Sequence, residues 1–287
     1  MDRLFEPFTY PFMVEALVVS TLVGVACALI SCYLVLKGWS LMGDAISHAV
    51  FPGVVIAYVI GWPLGVGAFI AGLLCALATG WIKANSRVKE DTVMGIVFTG
   101  LFGLGAVLFT RVQTDSHLNH ILYGNLLGIE PKDLLQSGAC AGAAVLIVLA
   151  KRRDLLVYCF DRAHAQAVGL RPRLLHYLFL CLVAGVIVSA LQAVGIILTV
   201  AMLITPGCTA RLLTDRFDRS LLIAAGSAAA AALVGTYASY FLNGSTGACI
   251  VLTQSLIFTA ALIFGPKYGL LAGRRVASAA RNQAAQA

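Results

Sequence analysis

Asp44 and His48 stand four residues apart in the run GDAISHAVFP, Gly43 to Pro52, inside an otherwise apolar stretch. On a helix, positions i and i+4 lie one above the other, so this spacing turns a carboxylate oxygen and an imidazole nitrogen toward one small volume. A charged side chain at the centre of a spanning helix costs roughly 2.5–3.5 kcal/mol on insertion scales, which makes an acid placed there a functional hypothesis by default. The pair is suited to holding a divalent cation or to relaying a proton. Two blander roles compete. Asp44 could be a first-turn residue favoured by the helix dipole, with Ser40 as the cap, and His48 a packed histidine bonded to a backbone carbonyl.

The elements that must position this pair are membrane spans. Of the 287 residues 60% are hydrophobic and 11% charged, and the apolar runs reach the length of about 20 residues that a bilayer demands. The chain is expected to be all-α, a polytopic transmembrane bundle of eight or nine spans. No small-residue cleavage site closes the first run, so no removable signal is expected. The net charge of +7 comes from basic residues in short loops, where they set orientation, and no nucleic-acid partner is implied. The eight cysteines show no C-x-x-C spacing and read as small buried hydrophobes.

Apolar segments fall near residues 14–36, 41–60, 64–82, 92–110, 134–150, 174–192, 195–213, 220–242 and 247–265. Between Arg173 and Arg211 lie 37 residues without a charge. As one helix that run would be about 55 Å long, too long for a single crossing. It must therefore go out and return, turning near Gln192 to Gly195, or break there and leave eight spans. Nine crossings place 17 of the 20 lysines and arginines on one side, with Arg3, Arg111 and Lys132 outside that set. The positive-inside rule then puts the N-terminus out and the C-terminus in.

Two loops exceed a turn. The outer one, 111–133, carries Asp115, His117, His120 and Glu130 and could receive a ligand or hold a short packed helix. In the inner one, 151–173, Asp161 is the expected N-cap of a short helix over 162–168, Gly169 its C′ residue, and Pro172 the stop. Too short to cross, this helix would lie at the cytoplasmic surface as a contact for a soluble partner or as an ordinary surface helix. Further on, Pro206 is expected to kink a spanning helix that Gly207, Cys208 and Ala210 keep slim.

Four stretches together resemble one family: LKGWSLMGDAISHAVFPGVVIAY at 36–58, LNHILYGNLLGI at 118–129, FDRAHAQAVGL at 160–170 and GIILTVAMLITPGCTARLL at 195–213. They are similar to the membrane permease subunit of bacterial ABC importers for manganese, iron or zinc. The resemblance implies the permease fold of the vitamin B12 and metal-chelate ABC importers, in a permease domain over 14–265 between an extracytoplasmic segment 1–13 and a cytoplasmic tail 266–287. It further implies Asp44 and His48 as metal-path residues, with His120 a candidate for the outer side of that path. The 160–170 segment looks like the coupling helix, with Asp161, Ala163, Ala165 and Gly169 as the residues concerned. Implied partners are a cytoplasmic ATP-binding subunit, an extracytoplasmic metal-binding protein and a second permease, identical or closely related. The setting would be the bacterial cytoplasmic membrane.

No cofactor is expected beyond the transported metal, and no enzyme activity, since the chain has no G-x-x-x-x-G-K-[ST] loop to hold ATP. Carboxylate and imidazole suit manganese, iron or zinc better than copper(I), which prefers clustered sulfur ligands. The competing function is a self-sufficient secondary metal transporter using Asp44 and His48 as a proton relay. A membrane enzyme using the pair as acid and base lacks an accompanying nucleophile.

Overall fold

The computed structural model describes residues 9–39, 41–111, 131–265 and 269. Among these residues every regular element is helical. The helices are α1 (Pro11–Lys37), α2 (Met42–Ala49), α3 (Phe51–Ile60), α4 (Leu64–Asn85), α5 (Glu90–Phe109), α6 (Pro131–Ala150), α7 (Arg152–Phe160), α8 (Arg162–Ala167), α9 (Pro172–Val194), α10 (Ile196–Leu213), α11 (Phe217–Leu242) and α12 (Thr246–Phe264). Eight stretches are long and apolar enough to cross a membrane singly, with Met42–Ile60 counted as one; α6, joined to α7 through a 74° bend, is the ninth candidate.

Each of the nine apolar segments is thus a helix, but 151–160, expected as loop, forms α7. Its Leu155, Tyr158 and Cys159 are buried at i, i+3 and i+4, the spacing of an amphipathic helix folded back against the bundle.

Two groups of helices make up the bundle. In the first, α1 is central and packs along α10 and α11, which α12 covers. Its Cys27, Ala28, Ile30, Tyr33 and Leu34 are almost wholly buried. The second group is α2 and α3 packed on α4 and α5, with α9 and α6 lying between the two. Outside, Leu135, Leu146, Ile197, Leu222 and Leu256 are largely exposed, as befits helices whose outer solvent is lipid.

The two ends of the bundle differ in chemistry. At one end Lys37, Lys83, Arg162 and Arg173 surround one pocket, the Arg152 guanidinium lies 3.4 Å from the Asp218 carboxylate, and Arg211 sits beside Leu36. At the other, Tyr10 lies 6.2 Å from Tyr240, and Gly65 stands beside Gln136 and Gln192. Arg173 begins α9 and Arg211 ends α10, both at the basic end, so the charge-free run crosses the bundle and returns. The reversal is one residue long. Gly195 has φ 79° and ψ 173°, a backbone region open essentially to glycine alone.

Candidate functional site

α2 carries Asp44 in its first turn and His48 in its last. The Asp44 Oδ1 and His48 Nε2 atoms are 3.5 Å apart. That exceeds an ordinary hydrogen bond. It is close to the separation of ~3.4 Å between two ligand atoms bound at ~2.1 Å to one tetrahedral ion. Ser40, suggested as a cap, lies outside the described residues; Leu41 takes the N-cap position and makes no side-chain cap bond. The Ser47 hydroxyl between the two is committed to the Gly43 carbonyl at 2.7 Å.

The pair sits at mid-depth. His48 packs against Phe98 and Phe102, midway along α5, with ring centroids at 6.2 and 5.7 Å. Gly43 lets α2 approach α10 so closely that a Cβ there would stand 2.9 Å from Leu203 Cδ1. Yet Asp44 and His48 remain about one-third exposed, at 38% and 36% of their side-chain surface. A carboxylate exposed at that depth cannot face hydrocarbon without heavy cost, so this surface must meet water or another polar protein surface. Among the described residues no group of three or more His, Cys, Asp or Glu converges on a metal-sized volume. The described residues of one chain therefore offer two side-chain donors at this point, where divalent metals take four to six.

The helix loses one backbone bond just past the pair. Pro52 has no N–H to give the His48 carbonyl four residues before it, yet Val50 between α2 and α3 keeps φ −66° and ψ −26° and bonds Ile46 and Val54 at 3.1 Å, so the two run on as one span. α5 seats on this proline through Gly105, whose Cβ would lie 2.7 Å from Phe51 and 2.8 Å from the Pro52 nitrogen.

At the basic end, Asp161 caps α8, its Oδ1 accepting from the Ala163 N–H at 2.8 Å. The helix closes with the paired bonds of a Schellman motif, Leu170 N–H to Ala165 carbonyl at 3.0 Å and Gly169 N–H to Gln166 carbonyl at 3.1 Å, and Gly169 has φ 85°. Ala165, one of the residues expected at the partner contact, faces inward. It is fully buried against the rest of the chain and offers no surface to a partner, whereas Ala163, Gln166 and Val168 are exposed. His120 lies outside the described residues, as do Asp115, His117 and Glu130.

A network at the basic end escaped the sequence. Tyr158 of α7 hydrogen-bonds His176 Nδ1 of α9 at 2.7 Å, accepts from Arg162 of α8 at 3.2 Å, and accepts from Lys37 at the end of α1. The Lys37 ammonium also lies 4.0 Å from the Trp39 ring centroid and 3.9 Å from that of Tyr158. The short helix α8 is thereby wired to α1 and α9. All eight cysteines are free thiols.

A helical bundle with a polar pair exposed at mid-depth and a capped helix projecting at its basic end defines a multi-pass membrane transport protein. The chain belongs to the ABC 3 transport family, which it matches over residues 9–265. It is 56% identical to the chelated iron transport system membrane protein YfeD of Yersinia pestis, over 92% of this chain and 90% of that one. With the manganese transport system membrane protein MntB of Synechocystis it shares 48% identity, covering 94% and 88%. Among solved structures, PsaBC from Streptococcus pneumoniae in complex with Fab matches with a TM-score of 0.84 at 35% identity, over 93% of this chain and 97% of that one. An inward-facing metal-chelate type ABC transporter, 16% identical, shares the fold with a TM-score of 0.67 over 86% and 84%.

Proposed function

We propose that this chain is the permease subunit of an ATP-driven importer of a divalent transition metal, manganese, iron or zinc, in the bacterial cytoplasmic membrane. The observation that carries this is the Asp44–His48 pair, spaced as ligands of one ion and exposed at mid-depth. A second permease, identical or closely related, placed against the same face would bring two more oxygen and nitrogen donors and exclude lipid from both pairs. Relatives named for iron and manganese transport agree with an oxygen and nitrogen donor set. In this reading the basic end faces the cytoplasm, in keeping with the positive-inside rule. An extracytoplasmic metal-binding protein delivers the ion to the opposite end.

ATP hydrolysis belongs to a partner subunit, and α8 is where its motion enters. Every residue of α8 but Ala165 is exposed, and the Arg162–Tyr158–Lys37 contacts tie the helix to α1. A proton-driven secondary transporter would have no use for such a projecting, capped helix.

Uptake of manganese, iron and zinc isotopes into proteoliposomes, with and without a partner ATPase, tests the assignment. Asp44→Asn and His48→Ala should each reduce ATP-dependent uptake to background while leaving membrane abundance near parental. Parental uptake in both variants, or uptake needing a proton gradient and no ATPase, overturns it. Gly169→Val puts a β-branched residue where φ is positive. It should weaken ATPase co-purification or abolish metal-stimulated hydrolysis, and a variant that does neither removes α8 from the energy path.

A further inference from the structure

The basic end holds a pocket of about 880 Å³ between the end of α4, the start of α9 and α8. Lys83, Arg162 and Arg173 line it, together with Lys37, and the lining residues include no carboxylate. Three aromatic residues share its wall: Trp39 is buried, whereas Trp81 and Tyr177 are 68% and 55% exposed. Guanidinium and ammonium groups gathered without acids recognise phosphate esters. Exposed tryptophan and tyrosine at a helix end mark the level of lipid headgroups.

A second observation separates a lipid from a soluble phosphate. Ile70, Leu74, Leu77 and Trp81 recur at i, i+4, i+7 and i+11 and so share one face of α4. Leu77 and Trp81 line the basic pocket, and Ile70 and Leu74 line an apolar hollow of about 320 Å³ between α3, α4 and α5. From residue 81 to residue 70 a helix rises about 16 Å, close to half the ~30 Å hydrocarbon core, which is the reach of an acyl chain in one leaflet.

The geometry points to a binding site for an anionic phospholipid, with its phosphodiester held by Lys83, Arg162 and Arg173 and an acyl chain lying along the Ile70–Trp81 face of α4. Basic pockets between helices on the cytoplasmic side of a membrane take such headgroups. That this leaflet is the inner one rests on the orientation proposed above; the binding itself does not. Because Arg162 belongs to α8, a bound headgroup would touch the helix assigned to the ATPase contact.

The test measures lipid binding to the full-length chain alone, by native mass spectrometry from detergent and by titration in nanodiscs, using phosphatidylglycerol against phosphatidylcholine. Neither metal nor ATPase is present, so failure here is separable from failure of the transport assignment. The parent should retain phosphatidylglycerol preferentially, with a preference that falls as salt rises. Lys83→Gln with Arg173→Gln should weaken binding roughly thirtyfold, at about 1 kcal/mol per basic residue. Lys83→Arg with Arg173→Lys should keep most of it. Both positions are exposed, and thermal unfolding of the glutamine variant checks that it folds. If it does not fold, the parental preference decides alone. No preference for phosphatidylglycerol in the parent, or parental binding in a folded glutamine variant, overturns the proposal. So does full displacement by inorganic phosphate, which identifies a soluble anion.

Discussion

Pro52 and Pro206 both stand in helices that cross the bundle, and a neighbouring helix meets the two prolines by different means. α10 continues through Pro206 as one helix. From α1, Ser31 Oγ accepts from the Gly207 N–H at 3.0 Å and donates to the Ile204 carbonyl at 3.2 Å, a hydroxyl bridge to the backbone on either side of the proline. At Pro52 the span also stays helical, through Val50, but among the described residues no side-chain hydroxyl bonds the backbone beside the proline, and Gly105 of α5 packs on it instead. One proline is held by a polar bridge between helices. The other, set just past Asp44 and His48, is held by close packing alone, which leaves it freer to shift in the wall of the proposed path.

Several substitutions would break or sharpen this contrast. The largest effect should come from Gly207→Val. A Cβ at 207 would stand 2.5 Å from Ser31 Oγ and 2.8 Å from the Ser31 carbonyl, so α1 and α10 must separate. Folded protein should nearly vanish from the membrane fraction, as read by size-exclusion chromatography of a fluorescent fusion. Next, Pro52→Ala supplies a donor for the His48 carbonyl and removes the ring on which Gly105 packs. Uptake should then drop sharply while thermal stability holds or rises; full uptake would show that the proline has no part in transport. Ser31→Ala removes both bonds of the bridge, about 0.5–1.5 kcal/mol each, and should lower the unfolding temperature by several degrees with transport per folded molecule retained. Pro206→Ala should have the smallest effect, because the helix is already continuous through this position. A transport defect there as large as that of Pro52→Ala would erase the distinction between the two prolines.

Much of this arrangement is legible in local spacing. The nine apolar segments, the Asp44–His48 face and the Asp161 and Gly169 boundaries of α8 depend on residues within a few positions of one another, where helical period and capping chemistry act. The 17-to-3 partition of basic residues also anticipated the common end shared by Lys37, Lys83, Arg173 and Arg211. What spacing does not carry is long-range pairing. Lys37 meets Tyr158 across 121 positions, and Ser31 meets Gly207 across 176. Neither Ser31 nor Tyr158 differs from its apolar neighbours in any way that marks a partner. The inward turn of Ala165 was hidden for a related reason: a six-residue helix is too short to show which of its faces is apolar. α7 is different, since the spacing of Leu155, Tyr158 and Cys159 was present in the sequence but followed a cluster of charges that reads as loop.

The single-residue reversal at Gly195 has a consequence for how the protein is made. α9 and α10 contain no charged residue between Arg173 and Arg211 and are joined by one glycine, so neither helix carries a flanking charge at the far end to hold it there alone. In the proposed orientation the two would leave the translocon together as one hairpin, with the basic residues at both feet retained on the cytoplasmic side. A bulkier residue at 195 would act during biogenesis, reducing the number of molecules that reach the membrane while each survivor transports normally.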